Sequence, residues 1–323
     1  MRFARIPRCA LLALFAATVS VPAAAQKYPE KTVRMVVAFP TGASYILAVL
    51  MSEKLREALG QPFVPDFRSG AGGNVAAEIV AKAPADGHTL LLTSGSIAIS
   101  PSLFPKLGFD TFRDFTPITA LATVPNVMVV HPSVPAKTMQ ELVRLARASP
   151  GKLNYGSGGF GSGSQLGSEL FKSLAKIDIT HVPYKGAALA MTGQLSGEVD
   201  MVTSTVPATI PFINAGRLRG LAVMARERVP AIKNVPTAAE AGFPELEVVT
   251  WYGLFAPANV RPEVVERLNA EVGKFMRSAE VSAQLNKVGL DPAANTQAEF
   301  AKFVKLEYER WAKVIRAANI KAE

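Results

Sequence analysis

A chain of 323 residues with 49% hydrophobic content carries 35 basic and 26 acidic residues, three histidines and one cysteine. That length is enough for two domains with buried cores. One cysteine excludes an internal disulfide, and the scattered lysines and arginines form no basic run or basic-aromatic interleaving of the kind that tracks nucleic acid.

The N-terminus reads as an export signal. Met-Arg-Phe-Ala-Arg-Ile-Pro-Arg8 is basic, residues 9–21 are apolar, and Pro22-Ala-Ala-Ala25 supplies the small residues of an A-x-A site, which places the cut after Ala25. The apolar stretch is too short to remain as a spanning helix, and Cys9 leads it instead of closing it, which argues against a lipid-anchored cysteine. Cleavage would remove the cysteine, and with it thiol catalysis and cysteine-ligated metal. It would also remove Arg2, Arg5 and Arg8, leaving 32 basic against 26 acidic residues, a balance of +6. A modest positive balance suits attraction of anions toward a cleft. No later run approaches about 18 apolar residues, so the mature chain is expected to be soluble.

Taken in order, residues 31–39 are a β-branched run, followed by Pro40-Thr-Gly-Ala-Ser44 and a helix. Leu47, Leu50, Met51, Leu55 and Leu59 recur there at helical spacing, and Gly60 is placed to end it. Ser44 is read as the N-cap. Gln61-Pro-Phe-Val-Pro-Asp66 is a shorter strand, after which Ser69-Gly-Ala-Gly-Gly-Asn74 opens a helix to about Lys82, with Asn74 as its cap. His88-Thr-Leu-Leu-Leu-Thr93 is a buried-type strand ending in Ser94-Gly-Ser96, and His88 stands at its entry. Longer strands are predicted at residues 121–130 and 246–255. Between them the pattern predicts helix 139–148, strand 152–155, helix 165–174, strand 179–184, helix 187–195, strand 199–203, helix 206–215 and strand 218–224. After Pro257 the chain is predicted wholly helical, ending in an amphipathic helix over 297–318 that buries Phe300, Phe303, Val304, Trp311 and Ile315. Such alternation predicts an α/β fold of parallel or mixed sheets with helices on both faces.

The stretch Asn154-Tyr-Gly-Ser-Gly-Gly-Phe-Gly-Ser-Gly-Ser-Gln165 lies between a strand and a helix. Its glycines let the backbone approach a ligand closely, and the amides of the helix start favour an anion. Ser162 and Ser164 can cap the helix or turn toward a bound oxygen. Gly156-Ser-Gly-Gly-Phe-Gly161 also spells G-x-G-x-x-G, with Asp178 at 17 residues past Gly161. An exported dinucleotide-dependent enzyme therefore stays open as an alternative. No G-x-S-x-G elbow or P-loop is present, and His88, His131 and His181 have no metal-ligand spacing. Neither a catalytic residue nor a resident metal or cofactor is expected. What remains is a set of donor-rich turns at strand-to-helix junctions, matched to carboxylate oxygens.

Tyr28-Pro-Glu-Lys-Thr-Val-Arg-Met-Val-Val-Ala-Phe-Pro40, Arg68-Ser-Gly-Ala-Gly-Gly-Asn74, Asp86-Gly-His-Thr-Leu-Leu91, Asn154-Tyr-Gly-Ser157, His181-Val-Pro-Tyr-Lys-Gly186, Val235-Pro-Thr-Ala-Ala-Glu-Ala-Gly242 and Trp251-Tyr-Gly-Leu-Phe-Ala-Pro257 resemble segments of one family. They are similar, in order and over nearly the whole mature chain, to the periplasmic solute receptors of tripartite tricarboxylate transporters, the Bug family. The resemblance implies a two-domain, type II periplasmic-binding-protein fold with two crossover strands, residues 26–127 and 251–323 in domain I and 128–250 in domain II. It implies a monomeric, non-enzymatic periplasmic receptor that closes on a small carboxylate and delivers it to membrane permease subunits. A role in presenting ligand to a membrane sensor stays open beside transport.

By position, the resemblance places Phe39, Pro40, Thr41, Gly42, Ser44, Gly72, Gly73, Asn74, Ser94 and Ser96 at the ligand from the first domain. From the second come Ser157, Gly158, Ser162, Ser164, Tyr184, Lys185, Thr203, Ser204 and Thr205, with amides near Gly73 and Ser164 on opposite sides of the ligand. Two departures bear on specificity. The family's first turn usually reads G-G-S-T-D, whereas Gly42-Ala-Ser-Tyr-Ile46 is one residue shorter and has Tyr45 in place of the Asp. Many members also have an Asp where this chain has Thr203-Ser-Thr205. An ammonium group buried without a carboxylate is costly, so a non-amino organic or aromatic acid is expected, with Tyr45 against its body.

Overall fold

The computed structural model describes residues 28–317 and 319–320, so the export signal expected at residues 1–25 lies outside the described residues. The first β-branched run forms β1 (Val33–Val37), and the chain continues through α1 (Ala43–Leu59), β2 (Phe63–Phe67), α2 (Asn74–Ala81), β3 (Thr89–Ser94) and α3 (Ser96–Leu103). A long strand β4 (Phe115–Val130) follows, then α4 (Met139–Ala148), β5 (Asn154–Ser157), α5 (Gly163–Ala175), β6 (Thr180–Pro183), α6 (Ala187–Ser196), β7 (Met201–Thr205), α7 (Val206–Asn214) and β8 (Arg219–Val223). The chain ends with β9 (Val249–Pro257), α8 (Pro262–Met276), α9 (Ala279–Lys287), β10 (Asp291–Pro292) and α10 (Gln297–Ala317).

Strands β2, β1 and β3 are parallel, and β9 joins β3 antiparallel. The 16 residues of β4 then carry the sheet from one half of the molecule to the other. Up to Pro125 it pairs with β9; from Asn126 onward it pairs with β7 and, on its other edge, β8. Beyond β7 lie β5 and β6, both parallel to it or to each other. Pro125 suits the switch, since it has no N–H for a ladder to lose. The fully buried Asn126 stitches the two crossings together, its Nδ2 donating to the carbonyl of Val248 at 2.9 Å and to Thr250 Oγ1 at 3.0 Å. Two crossing segments therefore join two lobes.

Apolar residues line both faces of each half-sheet. In the first lobe, α1 and α8 cover one face through Leu47, Met51, Leu55, Val265 and Leu268, while α2 and α10 cover the other through Ala77, Val80, Phe300 and Val304. In the second lobe, Leu142, Tyr155, Leu166 and Phe171 pack on one face and Val199, Val202 and Val223 on the other. Trp311, Ile315 and Ile320 pack with the second lobe, and so does Leu103 of α3. The expected grouping of 251–323 placed all of α10 with the first lobe; here the helix runs across both.

Two elements differ from the predicted pattern. Helix α3 was not legible because Ser96-Ile-Ala-Ile-Ser100 is buried at every position, which leaves no polar stripe to reveal a helical period. The region after Pro257 is not wholly helical. Gly289, at φ 73°, turns the chain after α9, Leu290 drops into the core, and Asp291 and Pro292 pair with Thr123 and Ala122.

Helix α4 shows a local device with a measurable contribution. Thr138 Oγ1 accepts from the Glu141 N–H at 3.1 Å, and the Glu141 carboxylate accepts from the Lys137 N–H at 2.6 Å. Thr138→Ala is expected to lower folding stability by about 1 kcal/mol, read as a lower urea midpoint with an unchanged slope.

Candidate functional site

The turns that follow β1, β2 and β3 meet at Gly73. A methyl group there would stand 3.2 Å from the Phe39 ring, 3.2 Å from Ser96 Oγ and 3.3 Å from Ala38. Ser94 Oγ lies 3.2 Å from Ser96 Oγ and accepts from the Ser96 N–H at 3.3 Å. In an open α/β sheet this carboxyl end of the strands is where ligands bind.

The helices that start here have bare ends. No side chain caps α1, α2, α3, α6 or α7, whereas α4, α5 and α9 are capped by Thr138, Ser162 and Ser278. Ser44 was expected to cap α1 and Asn74 to cap α2; both expectations are corrected. Gly42, at φ 65°, and Gly73, at φ 98°, take the cap positions in backbone conformations that favour glycine. Ser44 falls in the first turn of α1, fully buried, and its Oγ has no hydrogen-bond partner among the described residues. Asn74 begins α2 with helical backbone, and its Oδ1 accepts from Ser100 Oγ at 2.6 Å. The Gly73 N–H is engaged by the Gly70 carbonyl at 2.9 Å.

The glycine-rich turn of the second lobe is held by its own hydroxyls. Gly158 N–H donates to Ser164 Oγ at 3.0 Å, Gly159 N–H to Ser157 Oγ at 3.1 Å and Gly161 N–H to Gln165 Oε1 at 2.7 Å. Ser162 Oγ donates to the Gly159 carbonyl at 2.6 Å and accepts from Gln165 N–H at 3.3 Å. Ser162 thus caps α5, one of the two roles expected of it. Most of the turn's amides are therefore internal props, and the N–H groups of Gly163 and Ser164 at the start of α5 take part in none of these bonds.

The two sets of turns touch. A methyl at Gly72 would stand 2.8 Å from the Phe160 carbonyl oxygen, one at Gly161 3.2 Å from the Phe104 ring, and one at Gly163 3.2 Å from Thr250 Oγ1. The start of α6 joins them, with the Ala187 nitrogen 3.0 Å from the methyl position of Gly158. The lobes are closed against each other in this structure. Residues 39–45, 70–74, 94–96 and 157–164 contain no acidic, lysine or arginine side chain, so the fixed charge these turns carry is that of the helix ends, each about +0.5 elementary charge. Among the described residues no three His, Cys, Asp or Glu side chains could hold a metal ion.

Several expected site residues point elsewhere. Thr203 Oγ1 bonds Ser168 Oγ at 3.0 Å, fully buried beneath α5. Tyr184 turns its ring toward α6, where its hydroxyl lies against Gly193, and it packs with the Val199 and Val202 core. Lys185 is exposed, as are Pro40 and Thr41. Tyr45 is half-exposed and stacks on Phe67, ring centroids 5.8 Å apart. Ser204 and Thr205 sit at the end of β7, where Thr205 pairs with Asn126. Gln165, Thr250 and Asn126 shape the site without having been singled out. Gln165 had a legible signal, since Ser162-x-x-Gln165 has the spacing of a capping box.

Asp178, the residue a dinucleotide reading needs, is at the far end of the strand. It lies beside Gly151, whose N–H donates to the Asp178 carbonyl at 3.2 Å.

Helix starts and glycine-rich turns of two lobes in contact, on a sheet carried across by two crossing segments, are the architecture of a solute-binding protein of the periplasmic class. The chain belongs to the tripartite tricarboxylate transporter receptor family, whose model matches residues 47–320. It is 32% identical over 317 residues to Protein BugT of Bordetella pertussis, covering 97% of each chain. A structure from R. palustris with adipate is 37% identical, with a TM-score of 0.86 over 91% of this chain and 99% of that one. MatC from Rhodopseudomonas palustris with bound malate is 32% identical, with a TM-score of 0.83 over 89% and 100%. The family is one of periplasmic receptors and not of enzymes, which removes the dinucleotide-dependent alternative. Among the described residues no helix is long and apolar enough to cross a membrane.

Proposed function

We propose that this chain captures a small carboxylate without an amino group between its two lobes and delivers it to the permease subunits of a tripartite transporter in the periplasm. The observation that carries the reading is the pairing of bare helix starts with turns that hold no charged side chain. An anion placed there gains from the uncapped starts of α1, α2 and α3 on one side and, on the other, from the dipole of α5, whose Ser162 cap engages only the Gln165 N–H. A ligand ammonium would meet no carboxylate in these turns. Adipate and malate, bound by the two structural neighbours, belong to the acid class proposed here. Phe39 beside Gly73 supplies an apolar wall for the ligand's body, and the Tyr45–Phe67 pair stands at the rim, at the first turn of α1 and the end of β2. The two lobes are proposed to act as the two domains that open and close.

A thermal-shift panel of dicarboxylates, hydroxy acids, aromatic acids and amino acids tests this. A ligand at ten times its Kd is expected to add about 1.4 kcal/mol, a rise in Tm of a few degrees. Stabilisation by aspartate or glutamate, with none by any simple acid, would sink the proposal.

A further inference from the structure

Behind the glycine-rich turn of the second lobe, His181 on the edge strand β6 makes contacts that its place in the sequence does not foreshadow. In the parallel pairing of β5 with β6, Tyr155 stands opposite His181, and the two rings stack at 4.7 Å and 12°. The His181 ring reaches forward along the strand, so that its Nε2 lies 2.7 Å from Ser157 Oγ. Its flank carries the edge of the Phe160 ring, 5.2 Å away at 88°. One imidazole therefore touches both ends of the tip, residues 157–160. It also lines a cavity of about 420 Å³ behind the turn, together with Phe160, Gln165, Glu169 and Pro183.

The hydrogen-bond directions follow from the inventory. Ser157 Oγ already accepts the Gly159 N–H at 3.1 Å. Its own proton can go to Nε2 at 2.7 Å or to the Gly159 carbonyl at 3.4 Å, and the shorter contact is the better bond. Accepting that proton requires a neutral ring with a bare Nε2. Burial favours this state, holding the His181 ring down at about 4; Glu169 opposes the shift and Lys172 adds to it. Tyr155 in turn is fixed from below, its hydroxyl bonded to the Glu169 carboxylate, which Lys172 pairs at 3.0 Å.

We infer that His181 is a positioning residue for ligand capture: it orients the Ser157 hydroxyl and braces Phe160, and so sets the tip that meets Gly72 across the cleft. The inference rests on the proposed reading of the cleft as a carboxylate site. His181 itself need not contact the ligand. The Phe160 carbonyl faces Gly72 of the opposite lobe, and the Phe160 ring packs on the same imidazole that bonds Ser157 at the start of the turn.

The test compares His181→Phe, which keeps an aromatic ring between Tyr155 and Phe160 but loses Nε2, with His181→Gln, whose side-chain oxygen can accept from Ser157. Two readouts are used on the full mature chain: amide hydrogen exchange over residues 157–164, and titration with adipate and with malate. Expected are exchange at least tenfold faster in His181→Phe, protection partly restored in His181→Gln, and affinity about tenfold weaker in His181→Phe. Ser157→Ala should weaken binding similarly, and the double variant should be no worse than either single one. Unchanged exchange in His181→Phe, or protection lost in His181→Gln but kept in His181→Phe, overturns the inference. If the wild-type chain binds neither probe, nor any other acid of the panel, the carboxylate reading fails, while the exchange data still decide whether His181 sets the turn.

Discussion

Gly72→Ala is expected to bind the best carboxylate of the panel roughly 30- to 100-fold more weakly than the wild-type chain, read by isothermal titration. Gly72 has a φ of 66°, and a methyl group on it would stand 2.8 Å from the Phe160 carbonyl oxygen of the opposite lobe. The neighbour is backbone, so no side chain can rotate out of the way, and the closed arrangement has to open slightly to admit the methyl. Overpacking of this kind costs about 1–3 kcal/mol, and a penalty of about 2–3 kcal/mol on the closed state alone appears directly in the Kd. The left-handed backbone adds a cost of about 1–2 kcal/mol to folding.

Gly60→Ala separates the two effects. Gly60 has a φ of 76° and open space where the methyl would go, so it should lose a similar amount of folding stability and leave the Kd unchanged. Equal affinity for Gly72→Ala and the wild-type chain would mean that the bound form does not bring residues 72 and 160 together.

That contact lies beyond what the sequence could disclose, although much around it was legible. The alternation of β-branched runs with helical spacing located the βα units because central strands such as β1 and β3 are buried on both faces and several helices show an apolar stripe, as α4 does through Met139, Leu142, Val143 and Ala146. The small-residue turns were visible as Gly and Ser clusters at strand ends. Their internal wiring was not, because Gly158 with Ser164, Ser157 with His181 and Asn74 with Ser100 are pairings set by the folded loop and by parallel register. The cap of α1 was misplaced by two residues for a related reason. Ser44 is a good cap by type, but the turn into α1 needs a positive φ, which Gly42 supplies. The early start of β4 was masked by Pro117 and by register shifts at 117/119 and 120/122, which break the alternation a strand reading depends on.

The largest loss of stability is expected at a residue that touches no part of the proposed ligand site. Glu307 of α10 is 8% exposed, and its Oε2 accepts from Trp251 Nε1 at 3.0 Å and from Trp311 Nε1 at 3.3 Å. Trp251 belongs to the first-lobe core, where it packs edge-on against Phe300 and Phe303, while Trp311 belongs to the second-lobe core. One carboxylate thus ties Trp251 of β9 to α10 and, within the helix, fixes the indole of Trp311, whose ring packs in the second-lobe core. Glu307→Ala leaves two buried indole N–H groups without an acceptor, each costing about 1–3 kcal/mol, and removes packed atoms as well. A loss of about 3–5 kcal/mol is expected from urea unfolding. Glu307→Gln should fall between, since an amide oxygen in the place of Oε2 can still accept from both indoles but is a neutral and weaker acceptor than the carboxylate. These are the chain's two tryptophans, so the emission maximum and acrylamide quenching report on this joint alone. Wild-type emission should shift on carboxylate binding if closure strains the joint, and Glu307→Ala should be red-shifted before any ligand is added. A Glu307→Ala variant as stable as the wild-type chain, with buried tryptophan emission, would show that the indoles find other partners and that this carboxylate does not hold α10 on β9.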